Sequence, residues 1–468
     1  MKKSCLFLTL LTIMIAHTVT GQHAPAAENP FLKEFNTPFG VPPFSQIEPG
    51  HFLPAIRTGM DLQNKEVEAI VSNPAPPDFD NTIAALDYSG SLIRKVNSVF
   101  ANLNSANTSK ELQAIAKEMA PMLSAHYDNI NLNPALFEKV KAVYEKRGSL
   151  GLNGEQMRLL TEKYKDFVRG GAALSEDSRE RFREINKKLS VLTLQFGENV
   201  LKETNDFRLI IDKPEDLSGL TPELVQQGAE AAAEAGMEGK WVYTLHNPSI
   251  MPFLQYADNR DLREKIYKAY INRGNQGNAN DNNALIQQIV ALRLEKAKLL
   301  GYESHAAFVL EENMAKNAEN VEKLLLQLWK PALNRAVAEA ADLQAIIDRD
   351  GGSFRLQPWD WRYYAEKLRK EKYDLNDELL KPYFSLENVR QGVFEVAGKL
   401  YGITFTERKD IPVYHNDVIA YEVKEASGQH IGILYMDFHP RESKRGGAWM
   451  NSYRKQYREN GRNISPVI

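Results

Sequence analysis

Cysteine is nearly absent: Cys5 is the only one in 468 residues, and it precedes an N-terminal apolar run. Disulfides, thiol catalysis and cysteine-ligated zinc are therefore excluded once that leader is gone. Cys5 is also on the wrong side of the run to be a lipid-anchored cysteine at a cleavage point. Long apolar stretches are missing too. Residues 6–15 fall short of the ~20 needed to span a bilayer, and no other uninterrupted run approaches that length. Charge of one sign is scarce: the net charge is −3, becoming −5 when a leader carrying Lys2 and Lys3 and no acid is removed. Such a balance gives no general attraction to nucleic acid or anionic lipid. With no Gly-x-Ser-x-Gly elbow and no phosphate loop, serine-hydrolase and nucleotide-binding readings have no support. No repeat of fixed period and no low-complexity tract is present.

What is there begins with a secretory pattern. Lys2-Lys3, the apolar run and the small-residue exit Val19-Thr-Gly21 predict a signal peptide over 1–21. The mature chain then starts at Gln22, is exported to the periplasm and has no membrane attachment after cleavage. With 43% hydrophobic and 25% charged residues the chain is ordinary globular material, long enough for roughly two to three domains.

The proline-rich residues 22–54 predict an extended arm lying over the body. Helical stripes follow. Ile83, Leu86, Gly90, Ile93, Val96, Phe100 and Leu103 step by three and four. Thr108 with Glu111 forms a capping box ahead of Leu112, Ile115 and Met119. Met157 to Phe167 form a stripe stopped by Gly170-Gly171. Ser175 caps a long helix through Phe182, Ile185, Leu189, Leu192 and Phe196, expected to pack in an antiparallel pair. Phe207 to Ile211 and Lys240 to Leu245 read as two short paired strands, with a helix from Thr221-Pro222 between them. Residues 273–281 are a loop by composition and the best linker candidate. Further helices are expected over 285–300, through Val321, Leu324, Leu325 and Leu328 to Asp350, and again after Trp359. Beyond Ile411 the period becomes two, with a turn at Ser427-Gly428 between strands. The fold class is mostly α, with a small antiparallel sheet late in the chain.

Among the nine histidines no pair remaining after removal of His17 lies at i, i+4. His439-Pro-Arg-Glu442-Ser443 imitates an inverted zinc pattern, but Ser443 stands where a second histidine is required. His246 and His415 read as turn or strand-end residues, and His305 as a partly buried helical imidazole. Glu311-Glu312 are neighbours on one helix and do not converge on a point, so they read as a solvated face. The basic residues Arg441, Lys444, Arg445, Arg454, Lys455, Arg458 and Arg462 read as a solvated face or a dock for an acidic segment.

The most informative stretch is Tyr435-Met-Asp-Phe-His-Pro-Arg-Glu-Ser-Lys-Arg-Gly-Gly-Ala-Trp-Met450. A strand ending at Met436 leads into a charged turn and a tight re-entry, where Gly446 and Gly447 remove side chains as if to permit close approach. This stretch resembles the thimet oligopeptidase / peptidyl-dipeptidase family of zinc metallopeptidases, most closely the bacterial dipeptidyl carboxypeptidases. Leu292-Arg293, Leu299-Leu-Gly-Tyr302, Met314-Ala315, Trp359-Asp-Trp-Arg-Tyr-Tyr-Ala-Glu366 and Val413-Tyr-His-Asn-Asp-Val418 match the family in the same order. Asn73-Pro-Ala-Pro-Pro and Asn81-Thr match its exported members.

The resemblance implies a multi-helical, channel-type zinc peptidase, monomeric when complete, that hydrolyses short peptides and releases C-terminal dipeptides. It divides the chain into a helical region with an extended arm at 22–258 and the front of the catalytic domain at 259–468. The zinc-binding part, with His-Glu-x-x-His, is absent from this sequence. No catalytic residue and no metal ligand can therefore be assigned, no zinc is expected on this chain, and the chain alone is expected to be inactive. By the same resemblance Gly447, Ala448 and Trp449 are candidates for main-chain pairing with a bound peptide; read locally, they form a structural turn with a buried Trp449. The alternative function is a non-catalytic helical peptide-binding protein. The apolar end, Asn463-Ile-Ser-Pro-Val-Ile468, reads as the entry to a buried strand, and residues 464–468 are expected to be exposed and prone to association.

Overall fold

The computed structural model describes residues 29–374, 377–459 and 461–468. The signal-peptide reading and Cys5 lie outside them. The fold is mostly helical, and no described helix is long and apolar enough to cross a membrane.

Three long helices stack side by side. Helix Glu176–Asp206 starts where the Ser175 hydroxyl accepts from the Ser178 amide, and Glu176 and Asp177 favour the positive end of its dipole. Its polar contacts fix the direction of its neighbours. Glu198 meets Lys117 near the start of helix Lys110–Asn131, while Arg183 reaches Asn129 near that helix's end. On the other side Asn199 bonds Asn282, and Arg181 bonds Glu295 within helix Asn283–Leu299. Both partners therefore run antiparallel to the central helix, as the stripe pattern predicts. Loop 273–281 is tied to this stack, with Asn278 and Asn280 both donating to Glu203.

The strands are β1 (Leu209–Ile211), β2 (Trp241–Tyr243), β3 (Ile403–Glu407), β4 (Ile419–Glu425), β5 (His430–Met436), β6 (Tyr457–Glu459) and β7 (Arg462–Ile464). They form antiparallel sheets β1-β2, β3-β4-β5 and β6-β7. Strand β3 is not among the sequence expectations, although Ile403-Thr-Phe-Thr-Glu alternates. Against β5 lies the chain's last segment: Ile433 donates to Pro466, Ile468 to Ile433, and Tyr435 to Ile468. Gly432 permits this, since a Cβ there would sit 2.9 Å from the Pro466 carbonyl oxygen. Val467 is consequently buried, and the expected exposure of 464–468 is corrected: backbone pairing with β5 covers this segment.

Three further expectations change. The 22–54 arm is not simply laid over the body. From Asn29 it folds through four short 3-10 turns, Pro30–Leu32, Pro38–Gly40, Phe44–Gln46 and Pro49–His51. Its Phe31, Val41 and Phe44 are buried in one core with Ile93 and Val96 from the early helices and Ile433, Tyr453 and Val467 from the late sheet region. The stripe from Ile83 to Leu103 is not one helix. It breaks at Gly90, which adopts φ 72° and has the Gln63 side chain 2.4 Å from where a Cβ would be, before helix Ser91–Ala106 begins. The cap of helix Lys110–Asn131 is Ser109, whose side chain accepts from Leu112; Thr108 bonds Asn104 instead.

Candidate functional site

Strand β5 delivers the chain to Asp437, which ties down the turn that follows through Arg441 and Lys444. The Arg441 guanidinium reaches the Asp437 carboxylate at 2.7 and 2.9 Å, Lys444 at 2.9 Å and the Tyr414 hydroxyl at 2.8 Å. Burial alone would raise this carboxyl, but the bonds from Arg441, Lys444 and Tyr414 outweigh it and hold it down at about 2. Burial, with Asp437 beside it, raises Tyr414 above the usual phenol range. Phe44 from the arm packs edge-on against Tyr414, Tyr435 and Tyr453 at 5.2–5.9 Å. The basic cluster is thus not one solvated face. Arg441 and Lys444 neutralise Asp437, and Arg454 donates to the Phe39, Gly40 and Ser465 carbonyls, fastening arm and tail together.

The loop leaving this anchor is fixed at both ends. On entry Thr108 donates to the Ser443 carbonyl at 2.8 Å and Arg445 to the Ser105 carbonyl at 2.9 Å. On exit Tyr453 donates to Val467, the Ser98 hydroxyl to the Tyr453 carbonyl, and Asn102 to the Ser452 carbonyl. Between the clamps, Gly446, Gly447 and Ala448 are exposed and irregular, with Gly447 at φ 102°. Among the described residues no group accepts from the backbone N–H groups of residues 446–449, and nothing comes within 4 Å of a Cβ placed on either glycine. Trp449 is half-buried with the Arg445 guanidinium 4.9 Å from its ring. The arrangement offers a preset length of open backbone that a second extended chain can reach.

The other singled-out residues do not join it. His439 is exposed, His415 accepts from the Asp417 amide in a turn, and His246 immediately precedes helix Asn247–Tyr256. His305 opens helix His305–Leu310 and is half-buried, and burial lowers its pKa. Glu311 and Glu312 follow that helix and are paired with Arg169 and Lys165 of helix Gly154–Arg169, so they fasten two elements rather than only face solvent. Among the described residues no three His, Cys, Asp or Glu side chains converge to hold a metal ion.

Sequence reasoning missed a buried ion cluster. Asp360 is fully buried just ahead of helix Trp361–Tyr373. It accepts from Arg263 at 2.9 Å and from Arg260 at 3.0–3.1 Å, both on helix Arg260–Ile271. The only sequence signal is Asp360 set among aromatics, and nothing in it points back a hundred residues.

Residues 253–468 match the family model of Peptidase family M3. The chain is 40% identical over 429 residues to a dipeptidyl carboxypeptidase of Salmonella typhimurium and 39% identical over 429 residues to that of Escherichia coli. It is 34% identical over 435 residues to oligopeptidase A of Escherichia coli. Each match takes in 92% of this chain and 63% of the relative, so the chain spans less than two thirds of the length of these curated relatives. Residues 253–468 thus match peptidase family M3, the family the chain's sequence motifs resemble. Peptidases of this family are in general zinc-dependent, but the described side chains do not fit a zinc site, since no donor set converges among them.

The Asp437 anchor makes a pH prediction. A carboxyl held at about 2, against its ordinary 3.8, contributes stability that is fully present above the ordinary value and is lost as pH falls through about 2. Asp437→Asn is expected to cost about 2 kcal/mol at neutral pH. Urea titrations of both proteins across the acid range check this: the gap between them narrows only below about pH 4.

Proposed function

We propose that this chain is the substrate-admitting part of an exported, periplasmic M3 peptidase that acts on short peptides and releases C-terminal dipeptides. The observation that carries this reading is the degree of likeness: 40% identity to a dipeptidyl carboxypeptidase against 34% to oligopeptidase A, over the same share of the chain. Gly447 and Ala448 present main-chain groups to an extended peptide, and Trp449 borders them. The clamps at Arg445 and Tyr453 support this assignment, because a backbone edge held in place before binding loses less entropy on pairing. This chain's own residues bind and orient the peptide. The zinc chemistry of the complete enzyme belongs to residues outside this sequence, so no step is assigned to it.

The test is Ala448→Pro in an enzyme completed with a zinc-bearing segment. Proline removes the N–H and fixes φ, so peptide affinity is expected to fall about tenfold or more while helical content and zinc stay constant. Unchanged affinity in a folded, zinc-loaded variant would leave residues 446–449 as a structural turn.

A further inference from the structure

One cation of the turn after β5 is left uncommitted beside the open backbone. Arg441 and Lys444 are engaged by Asp437, and Arg454 by main-chain carbonyls. Glu442, three residues ahead of Arg445, turns to Arg208 at 3.1 Å. Arg445 is exposed, and among the described residues its guanidinium forms no ion pair and donates no hydrogen bond. It is held in place all the same. Its main-chain N–H donates to the Ser105 carbonyl at 2.9 Å, and its guanidinium lies over the Trp449 ring at 4.9 Å. The side chain therefore runs alongside residues 446–449, from the entry clamp to the far end of the open stretch. Stacking on an aromatic face holds a planar guanidinium without consuming its N–H donors, which here have no protein partner.

We infer that Arg445 is a specificity residue, which selects peptides carrying an Asp or Glu side chain among the residues that pair with 446–449. Resting on the proposed function, the inference names the class of peptide that this edge prefers. A guanidinium fork matches a carboxylate with two parallel hydrogen bonds, and a fork already held on Trp449 loses less freedom on binding. A peptide's terminal carboxylate offers the same chemistry, but the position of Arg445 favours a side chain. The guanidinium lies along the paired run rather than beyond one end of it, and every second side chain of an extended peptide stands on one side of its strand. The chain as a whole carries a net charge of −3, so its general field does not draw acidic peptides and the preference has to arise locally.

The experiment measures binding of labelled short peptides to the full chain by fluorescence anisotropy. The peptides differ at one central position, Glu, Gln or Lys, and each is made with a free and with an amidated C-terminus. The Glu peptide is expected to bind about fivefold tighter than the Gln peptide at low salt, as one exposed charged pair allows, and the advantage is expected to shrink as salt rises. Arg445→Gln is expected to bring the two to equal affinity, and Arg445→Glu to favour the Lys peptide. Arg445→Lys is expected to keep only part of the preference, because an ammonium lacks the fork. The clamp at residue 445 is a main-chain bond, so these variants leave it in place. Equal affinity for Glu and Gln peptides in the wild type, or a preference that survives Arg445→Gln, would overturn the inference and leave the peptide edge standing. A preference abolished by amidation would assign Arg445 to the terminal carboxylate and overturn the side-chain reading. An Arg445-dependent preference that persists at full affinity in Ala448→Pro would overturn 446–449 as the edge and leave Arg445 as a carboxylate site. A folded chain that binds none of the peptides would overturn both.

Discussion

Asp360→Ala is expected to destabilise the chain by about 3–5 kcal/mol, the range for breaking a buried ion pair from one side. The geometry explains the size. Asp360 is wholly buried and Arg263 is 1% exposed, so loss of the carboxylate leaves a buried guanidinium without its counter-charge. Arg263 would keep its bonds to the Ala257 and Asp258 carbonyls, which accept hydrogen bonds but carry no net charge. The partner is also structural. Asp360 accepts from the Gln357 amide at the entry to helix Trp361–Tyr373 and ties that helix to Arg260–Ile271, so its loss frees both elements. Equilibrium urea unfolding checks the prediction through the midpoint at unchanged slope. The double variant Arg263→Met with Asp360→Leu is expected to recover part of the loss, because no fully buried charge is then left unpaired. A double variant no better than Asp360→Ala would show that the two residues act independently.

That cluster marks where sequence reading stops. Local features were legible because their causes are local. The Ser175 cap, the Gly170-Gly171 stop, the Thr221-Pro222 start and the Ser427-Gly428 turn after β4 each rest on residues within one turn. The antiparallel helix pair was legible because its stripe runs over several turns. What escaped depends on partners far along the chain. Ser109 rather than Thr108 caps its helix while the Thr108 amide is held by Ser443. Gly90 breaks a continuous stripe because Gln63 occupies the space beside it. The arm enters the core because Phe44 meets three tyrosines near the other end of the chain, and residues 464–468 are covered because β5 has a free edge to receive them. Residues 446–449 are proposed from a motif; the anchoring on either side of them, through Asp437, Arg441 and Ser105, becomes visible only in three dimensions.

The central claim is that these residues form the peptide-receiving part of an M3 peptidase, whose hydrolytic chemistry lies in residues outside this sequence. The most direct measurement purifies residues 22–468, determines zinc by elemental analysis, and follows dipeptide release from a short peptide with and without chelator. The account predicts far less than one zinc per chain and no chelator-sensitive release from the chain alone, with release arising in an enzyme completed with a zinc-bearing segment. One tightly held zinc per chain together with chelator-sensitive dipeptide release from residues 22–468 by themselves would contradict it.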